Sequence, residues 1–156
     1  MITINLVCVG SITKKYYKEA VADYLARLAF FCKVNIFEIG EVSFKKPTVS
    51  EIEIVKQKEG NEIIKHLKGY NVLLDIKGTQ LSSVELAKKI NNIANTSNII
   101  TFIIGGSHGV SEEVKKACNF KWSMSNLTFP HQLARVMLAE QVYRAFTINN
   151  NTSYHK

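Results

Sequence analysis

Short apolar runs alternate along the chain with stretches of helical spacing. Ile2 to Val9 is rich in β-branched residues and closes on Gly10, which predicts a strand; Lys14 to Leu28 then sets Tyr17, Val21, Tyr24, Leu25 and Leu28 at helical spacing. Val34 to Ile39 alternates as a strand does, and after Lys46-Pro47 the Ser50-x-x-Glu53 pair reads as a capping box opening a charged helix to about Leu67. Asn71 to Ile76 is a nearly continuous apolar run, the pattern of a strand covered on both faces. Lys77-Gly78-Thr79-Gln80 then turns the chain, and Ser82-x-x-Glu85 caps a helix to about Ala94. Ile99 to Ile104 predicts a second buried strand, Gly105-Gly106-Ser107-His108-Gly109 a loop, and Ser111-Glu112-Glu113 a short helix with carboxylates in its first turn, where the helix dipole favours them. Trp122 to Ser125 reads as a short strand or turn, and Pro130 begins the last helix, where a missing N–H is harmless. Strands alternating with helices predict an α/β fold with a mainly parallel sheet flanked by helices, and with no repeat or linker to divide it the chain is expected to form one domain over 1–156.

The last helix departs from a simple surface helix. Leu133, Val136, Met137, Leu138, Ala139, Val142, Tyr143, Ala145 and Phe146 cover more than one face, whereas a one-sided helix carries a single apolar stripe. One face can pack on the sheet; the second asks for a partner, and a homodimer is the simplest one.

Charge adds a candidate partner class. Twenty Lys and Arg stand against 13 Asp and Glu, a formal net charge of +7, which favours a polyanionic partner such as RNA. No apolar run approaches the ~20 residues of a membrane span, and Met1 to Asn5 lacks the basic region of a signal peptide, so a cytoplasmic address is expected. Cys8, Cys32 and Cys118 are odd in number and far apart, which suggests three buried small hydrophobes rather than a disulfide framework or a metal site.

Candidate chemistry gathers in loops. The stretch IIGGSHGVSEE lies at a strand's carboxyl end just before a helix, where ligands bind in parallel sheets. It has neither the G-x-G-x-x-G spacing of a dinucleotide fingerprint nor the Gly-Lys-Ser/Thr of a P-loop. LDIKGTQLSS and MSNLTFPH supply two further loops, and the three together could line one pocket. Among the histidines, His66 reads as a helix-end cation, His108 as a neighbour of that pocket and His131 as a positioning residue at a helix start. Arg144 stands four residues beyond Glu140 and is expected to pair with it, while Arg135 is open between pairing and binding RNA phosphate. Asn151-Thr152-Ser153-Tyr154-His155-Lys156 puts a phenol, an imidazole and an ammonium side by side at the end of the chain.

FIIGGSHG, then SNLTFPHQLARVMLAEQVYRAFTI, then the closing YHK together resemble the bacterial ribosomal RNA large subunit methyltransferase H family, the 23S rRNA pseudouridine N3-methyltransferases of the SPOUT superfamily. INLVCVG, VKQKEG and LDIKGTQLSS extend the likeness over the whole chain; Ser153 stands where that family commonly has proline. The resemblance implies a SPOUT-type α/β fold with a deep C-terminal trefoil knot in roughly 71–156, a homodimer, and S-adenosylmethionine bound in the knot. By matching motif, Leu74, Gly105, Met124, Ser125, Asn126, Leu127, Thr128 and Phe129 would hold the cofactor. His155 and Tyr154 would be catalytic, Lys156 and Arg135 would bind RNA, and no metal is implied. The expected reaction is methylation of N3 of a pseudouridine in large-subunit ribosomal RNA in the ribosome, with His155, from the other subunit, as base or as the group that places the base. Two rivals remain: a SPOUT methyltransferase acting on transfer RNA, and a non-catalytic RNA-binding ribosome assembly factor.

Overall fold

A computed structural model describes all residues, 1–156, as five strands and five helices in strict alternation. In chain order these are β1 (Thr3–Val9), α1 (Lys15–Leu28), β2 (Lys33–Ile39), α2 (Val49–Ile64), β3 (Tyr70–Gln80), α3 (Ser83–Ala94), β4 (Ile99–Ile104), α4 (Glu112–Ala117), β5 (Phe120–Ser123) and α5 (His131–Asn149). The strands form one parallel sheet in the order β2-β1-β4-β3-β5, so every strand points its carboxyl end, and the loop after it, to the same edge.

Alternation within the strands assigns each side chain to a face. Ile4, Leu6, Cys8, Ile100, Phe102 and Ile104 pack on α1, α3 and α5, whereas Val7, Val9, Ile103 and Leu73 pack on α2 and α4. Sheets covered on both faces read as continuous apolar runs, which is why β1 and β4 were plain in the sequence. The second apolar face of α5 is answered largely inside the chain: the helix lies against both α1 and α3 on the same side of the sheet. Only His131 and Asn149 of its residues are exposed, and Leu133, Val136 and Met137 remain half-buried along its outer side.

Three local readings change. The capping box of α2 is Thr48 with Glu51, two residues ahead of the Ser50 and Glu53 pair, and Ser50 Oγ instead lies 3.1 Å from Thr48 Oγ1. Residues 77–80 do not end β3: the strand pairs with β5 up to Leu74, swings out, and pairs again at Thr79, both residues facing Trp122. Gly78 makes that return workable, since a Cβ there would sit 2.5 Å from the Lys121 carbonyl oxygen. Cys8 and Cys32 are buried as expected, with burial pushing their thiols up to about 11 and about 12, but Cys118 is only half-buried.

Arg135 is a correction of the RNA-binding expectation. It is 5% exposed, its Nη1 donates to Glu38 Oε2 at 2.6 Å, and its Nη2 donates to the Gly10 carbonyl at 3.0 Å. A guanidinium held on two buried-side acceptors at the ends of β1 and β2 is not offered to a phosphate; it pins the first turn of α5 to the sheet. The pair is asymmetric, because the Glu38 side chain is 45% exposed and can turn to water while Arg135 cannot. Glu38→Ala, which strands the buried cation, is therefore expected to destabilise the protein by about 3 kcal/mol in denaturant titrations, and Arg135→Met by clearly less. Equal costs would show that the buried charge is not the controlling term.

Candidate functional site

The carboxyl edge of the sheet opens into a cleft of about 490 Å³, walled by the loops after β3, β4 and β5 and by the start of α5. The outward swing of β3 supplies one wall, Leu74 to Lys77, and the glycine loop 105–109 supplies another. Met124, Ser125, Leu127, Thr128 and Phe129 close the third side, and His131 and Ala134 of α5 reach its margin. Of the residues expected to hold a cofactor, only Asn126 stays out of the lining; it is exposed in the same loop.

The loop after β5 is built to present its backbone. Ser123 Oγ donates to the Ser125 carbonyl at 3.0 Å and the Leu127 N–H donates to Ser125 Oγ at 3.0 Å, which hold the loop's shape. No backbone–backbone hydrogen bond ties residues 125–129 to one another or to the rest of the chain, so several N–H and C=O groups stand free beside apolar Leu127, itself 67% exposed. An exposed apolar side chain next to free backbone groups can offer a ligand both apolar surface and hydrogen bonds. A Cβ on Gly105 would meet Val110 Cγ1 at 2.6 Å, so the bare backbone there lets the glycine loop close on itself.

Beneath that loop lies a carboxylate that sequence reasoning missed. Glu59 of α2 is 3% exposed, its Oε2 accepts from the Val42 N–H at 2.9 Å, and its Oε1 is the nearest atom to where a side chain on Gly106 would be. Burial holds its carboxyl above the ordinary range, against the lowering effect of the Val42 bond. Gln132 was missed too, and its Oε1 accepts from the Thr13 and Lys14 N–H groups at 3.0 and 3.2 Å, tying the loop after β1 to the cleft side of α5. His108 and His131 both line the cleft from exposed positions, whereas His66 stacks on Phe37 away from it.

The C-terminal hexapeptide is folded. Asn151, at φ 55°, breaks α5 in a conformation that asparagine tolerates, and the Thr152 N–H returns to the Thr147 carbonyl at 3.0 Å. Tyr154 then donates its O–H to Glu140 Oε1 at 3.0 Å, sits edge-on to Tyr143 with ring centres 4.8 Å apart, and lies under the Arg144 guanidinium at 4.7 Å. Arg144 pairs with Glu140 as the i,i+4 spacing predicts, its Nε donating at 2.9 Å, and its Nη1 reaches His155 Nδ1 at 3.2 Å. A guanidinium can only donate, so Nδ1 accepts and the neutral ring carries its proton on Nε2. None of residues 154–156 lines the cleft, and Glu140 stands nine residues, about 14 Å of helix rise, from His131. The chain thus holds cleft and tail at separate points along α5.

No group of three or more His, Cys, Asp or Glu side chains converges as metal ligands would, and no helix is long and apolar enough to cross a membrane.

A family model described as "Predicted SPOUT methyltransferase" matches residues 2–155. The ribosomal RNA large subunit methyltransferase H of Clostridium botulinum (strain Kyoto / Type A2) is 46% identical over 157 residues, covering 98% of this chain and 99% of that protein. The chain belongs to the methyltransferase H family of SPOUT enzymes. A second relative of the same description, from Caldicellulosiruptor saccharolyticus, is 43% identical over 155 residues at the same coverage. Among solved structures, a methylase-family protein from Haemophilus influenzae Rd KW20 superposes with a TM-score of 0.50 at 13% identity over 95% of this chain. A methyltransferase from Legionella pneumophila, solved with bound SAM, does so at 0.50 and 12%, also over 95%. The chain spans 66% of each of those two proteins, and at such identities they bear on the fold of this family member alone.

Burial, followed by the hydrogen bond to Glu140, pushes the Tyr154 phenol from its ordinary 10.0 up to about 12. The folded state therefore binds that proton more tightly than the unfolded chain, and the tail's docking is intact below pH about 10 and lost as pH rises through about 12. A tyrosinate absorbance titration should show a late step that Tyr154→Phe removes; superimposable curves would mean the docked tail is absent in solution.

Proposed function

We propose that the protein is a homodimeric, cytoplasmic S-adenosylmethionine-dependent enzyme that methylates N3 of a pseudouridine in large-subunit ribosomal RNA, on the assembled ribosome. Residues 71–156 form the trefoil-knotted half in this reading, with the whole of 1–156 acting as a single SPOUT domain. The observation that carries it is the cleft: Leu74, Gly105 and the 124–129 loop, assigned to the cofactor by motif, converge on one space at the carboxyl edge of the sheet. The residues fit the group. A volume of about 490 Å³ suits a nucleoside-sized ligand, Leu74, Leu127 and Phe129 offer apolar surface to an adenine, and the free backbone groups of 125–129 can read its polar edge.

When bound beside Leu74, Gly105 and the 124–129 loop, S-adenosylmethionine would supply an electrophilic methyl on a sulfonium, with a neutral thioether as the leaving group. The chain's own task is to orient the base and manage the N3 proton. With Nδ1 held by Arg144, His155 keeps its proton on Nε2, so in this reading it donates to a pyrimidine carbonyl and favours the N3 anion; it takes the proton itself only after Arg144 releases Nδ1. Tyr154, with its O–H committed to Glu140, offers a ring rather than an acid, and Lys156, exposed at the end, meets phosphate.

Separation of tail and cleft within one chain supports a site completed by the second protomer. Mixing a Gly105→Val variant with one lacking Tyr154 to Lys156, each inactive alone, should restore about a quarter of wild-type methyl transfer, since half the dimers are mixed and each has one intact site. No recovery would place the tail on its own cleft. Labelled S-adenosylmethionine incubated with ribosomes from a strain lacking the enzyme, followed by mapping of the methylated nucleotide, tests the reaction; label on transfer RNA instead, or none, would overturn it.

A further inference from the structure

The cleft occupies only the β4, β3 and β5 portion of the sheet's carboxyl edge, and the β1 and β2 portion beside it carries a different surface. β1 and β2 end in register, Val9 opposite Ile39, so the loops 10–14 and 40–48 leave the same edge side by side. Lys14, Lys15 and Lys18 at the start of α1 are exposed, as are Lys45 and Lys46 in the second loop. Lys15 is drawn toward Glu19 at 3.8 Å, but Lys14, Lys18, Lys45 and Lys46 have no acidic partner within ion-pair distance. Of the acids on this side, Glu38 is held by Arg135 and Glu41 is exposed.

Lys14, the extended N-cap of α1, and Lys18, inside its first turn, set cations at a helix N-terminus that has no acidic residue in its first turn and whose dipole disfavours positive charge. An arrangement that weakens the helix unless an anion lies across it is a phosphate-seeking arrangement. Beside them Tyr16 is 61% exposed and braced edge-on by Tyr17 at 4.5 Å between ring centres, a flat aromatic surface that no neighbouring element covers. Unpaired cations next to an exposed ring suit single-stranded RNA, whose phosphates take the lysines while an unstacked base takes the ring. Gln132 ties this corner rigidly to the cleft, through its bonds to the Thr13 and Lys14 N–H groups and its Nε2 donation to Thr13 Oγ1 at 3.0 Å.

We infer that Lys14, Tyr16, Lys18, Lys45 and Lys46 form a shelf that binds the single-stranded ribosomal RNA flanking the target nucleotide, with Tyr16 stacking on one of its bases. The inference deepens the reading of the cleft as an RNA methyltransferase site and rests on it. Gln132 sets the register between shelf and cleft, so that RNA lying on the lysines delivers a neighbouring nucleotide to the cofactor.

The test uses the full-length protein and assembled ribosomes purified from a strain lacking the enzyme. Tyr16→Ala should raise the KM for ribosomes roughly tenfold with kcat within about twofold, the loss expected of one base–aromatic stack. Lys14→Ala with Lys18→Ala should weaken binding and lower the slope of log affinity against log salt by about 1.4, two single-strand phosphate contacts at about 0.7 each. Calorimetric S-adenosylmethionine affinity should be unchanged in both, which excludes a folding defect. Lys33→Ala, at the opposite edge of the sheet, serves as the control for bulk charge. If the shelf variants match wild type in KM and salt slope while removal of Tyr154 to Lys156 impairs the enzyme, the shelf is wrong and the reading of the cleft stands. An equal loss in Lys33→Ala overturns the shelf as well. Wild-type protein that neither binds nor methylates the assembled ribosomes overturns the functional reading and the shelf with it.

Discussion

A guanidinium with nowhere else to go sets the geometry of this protein. Arg135 enters the interior one turn into α5 and finds acceptors only at the ends of β1 and β2, on Glu38 and the Gly10 carbonyl. Because an unpaired buried cation is costly, the helix has one acceptable seat on the sheet. That seat puts His131 and Ala134 against the cleft, Gln132 against the loop after β1, and the far end of the helix, with the tail, well away from both. Cleft, corner and tail are arranged by the placement of one helix.

The tail depends on a second concentration of charge. Glu140 Oε1 takes hydrogen bonds from Arg144 and from the Tyr154 phenol, while Oε2 takes one from the Gln141 amide. One carboxylate thereby organises a cation, a ring and, through Arg144, the orientation of an imidazole. The serine at 153 removes a residue that would stiffen the segment, yet the αL turn at Asn151 and the Thr152 return bond define its path anyway. Rigidity here comes from what the side chains bind, not from the backbone type.

Much of this was readable before any coordinates. Both-face burial writes itself as unbroken apolar runs, so β1, β3 and β4 and their order with the helices were evident, and Ser82 with Glu85 was correctly placed as a capping box. The α2 cap was misplaced because Thr48 and Glu51 satisfy the same spacing as Ser50 and Glu53, and only the path of the preceding loop distinguishes them. Lys-Gly-Thr-Gln is turn chemistry, and nothing local says that β3 swings out there and that β5 pairs on both sides of the swing. Arg135 stayed undecided because Glu38 is 97 residues away, a separation at which spacing rules are silent. Glu59 and Gln132 were invisible for the same reason: each acts on a loop distant in sequence. The eight residues matched by motif resemblance lie in three separate stretches of sequence, and the convergence of seven of them on one cleft is a property only the fold could display.

The uniform direction of the strands has a practical side. With all five parallel, every segment that touches the cleft, the corner after β1 or the glycine loop emerges from one edge, and the connections at the other edge, such as Asn95 to Asn98 before β4, carry none of them. The exposed Asn95, Thr96 and Asn98 therefore make a handle: a fluorophore, a surface tether or a crosslinker fixed there holds the molecule by the edge opposite the cleft and leaves the cleft open.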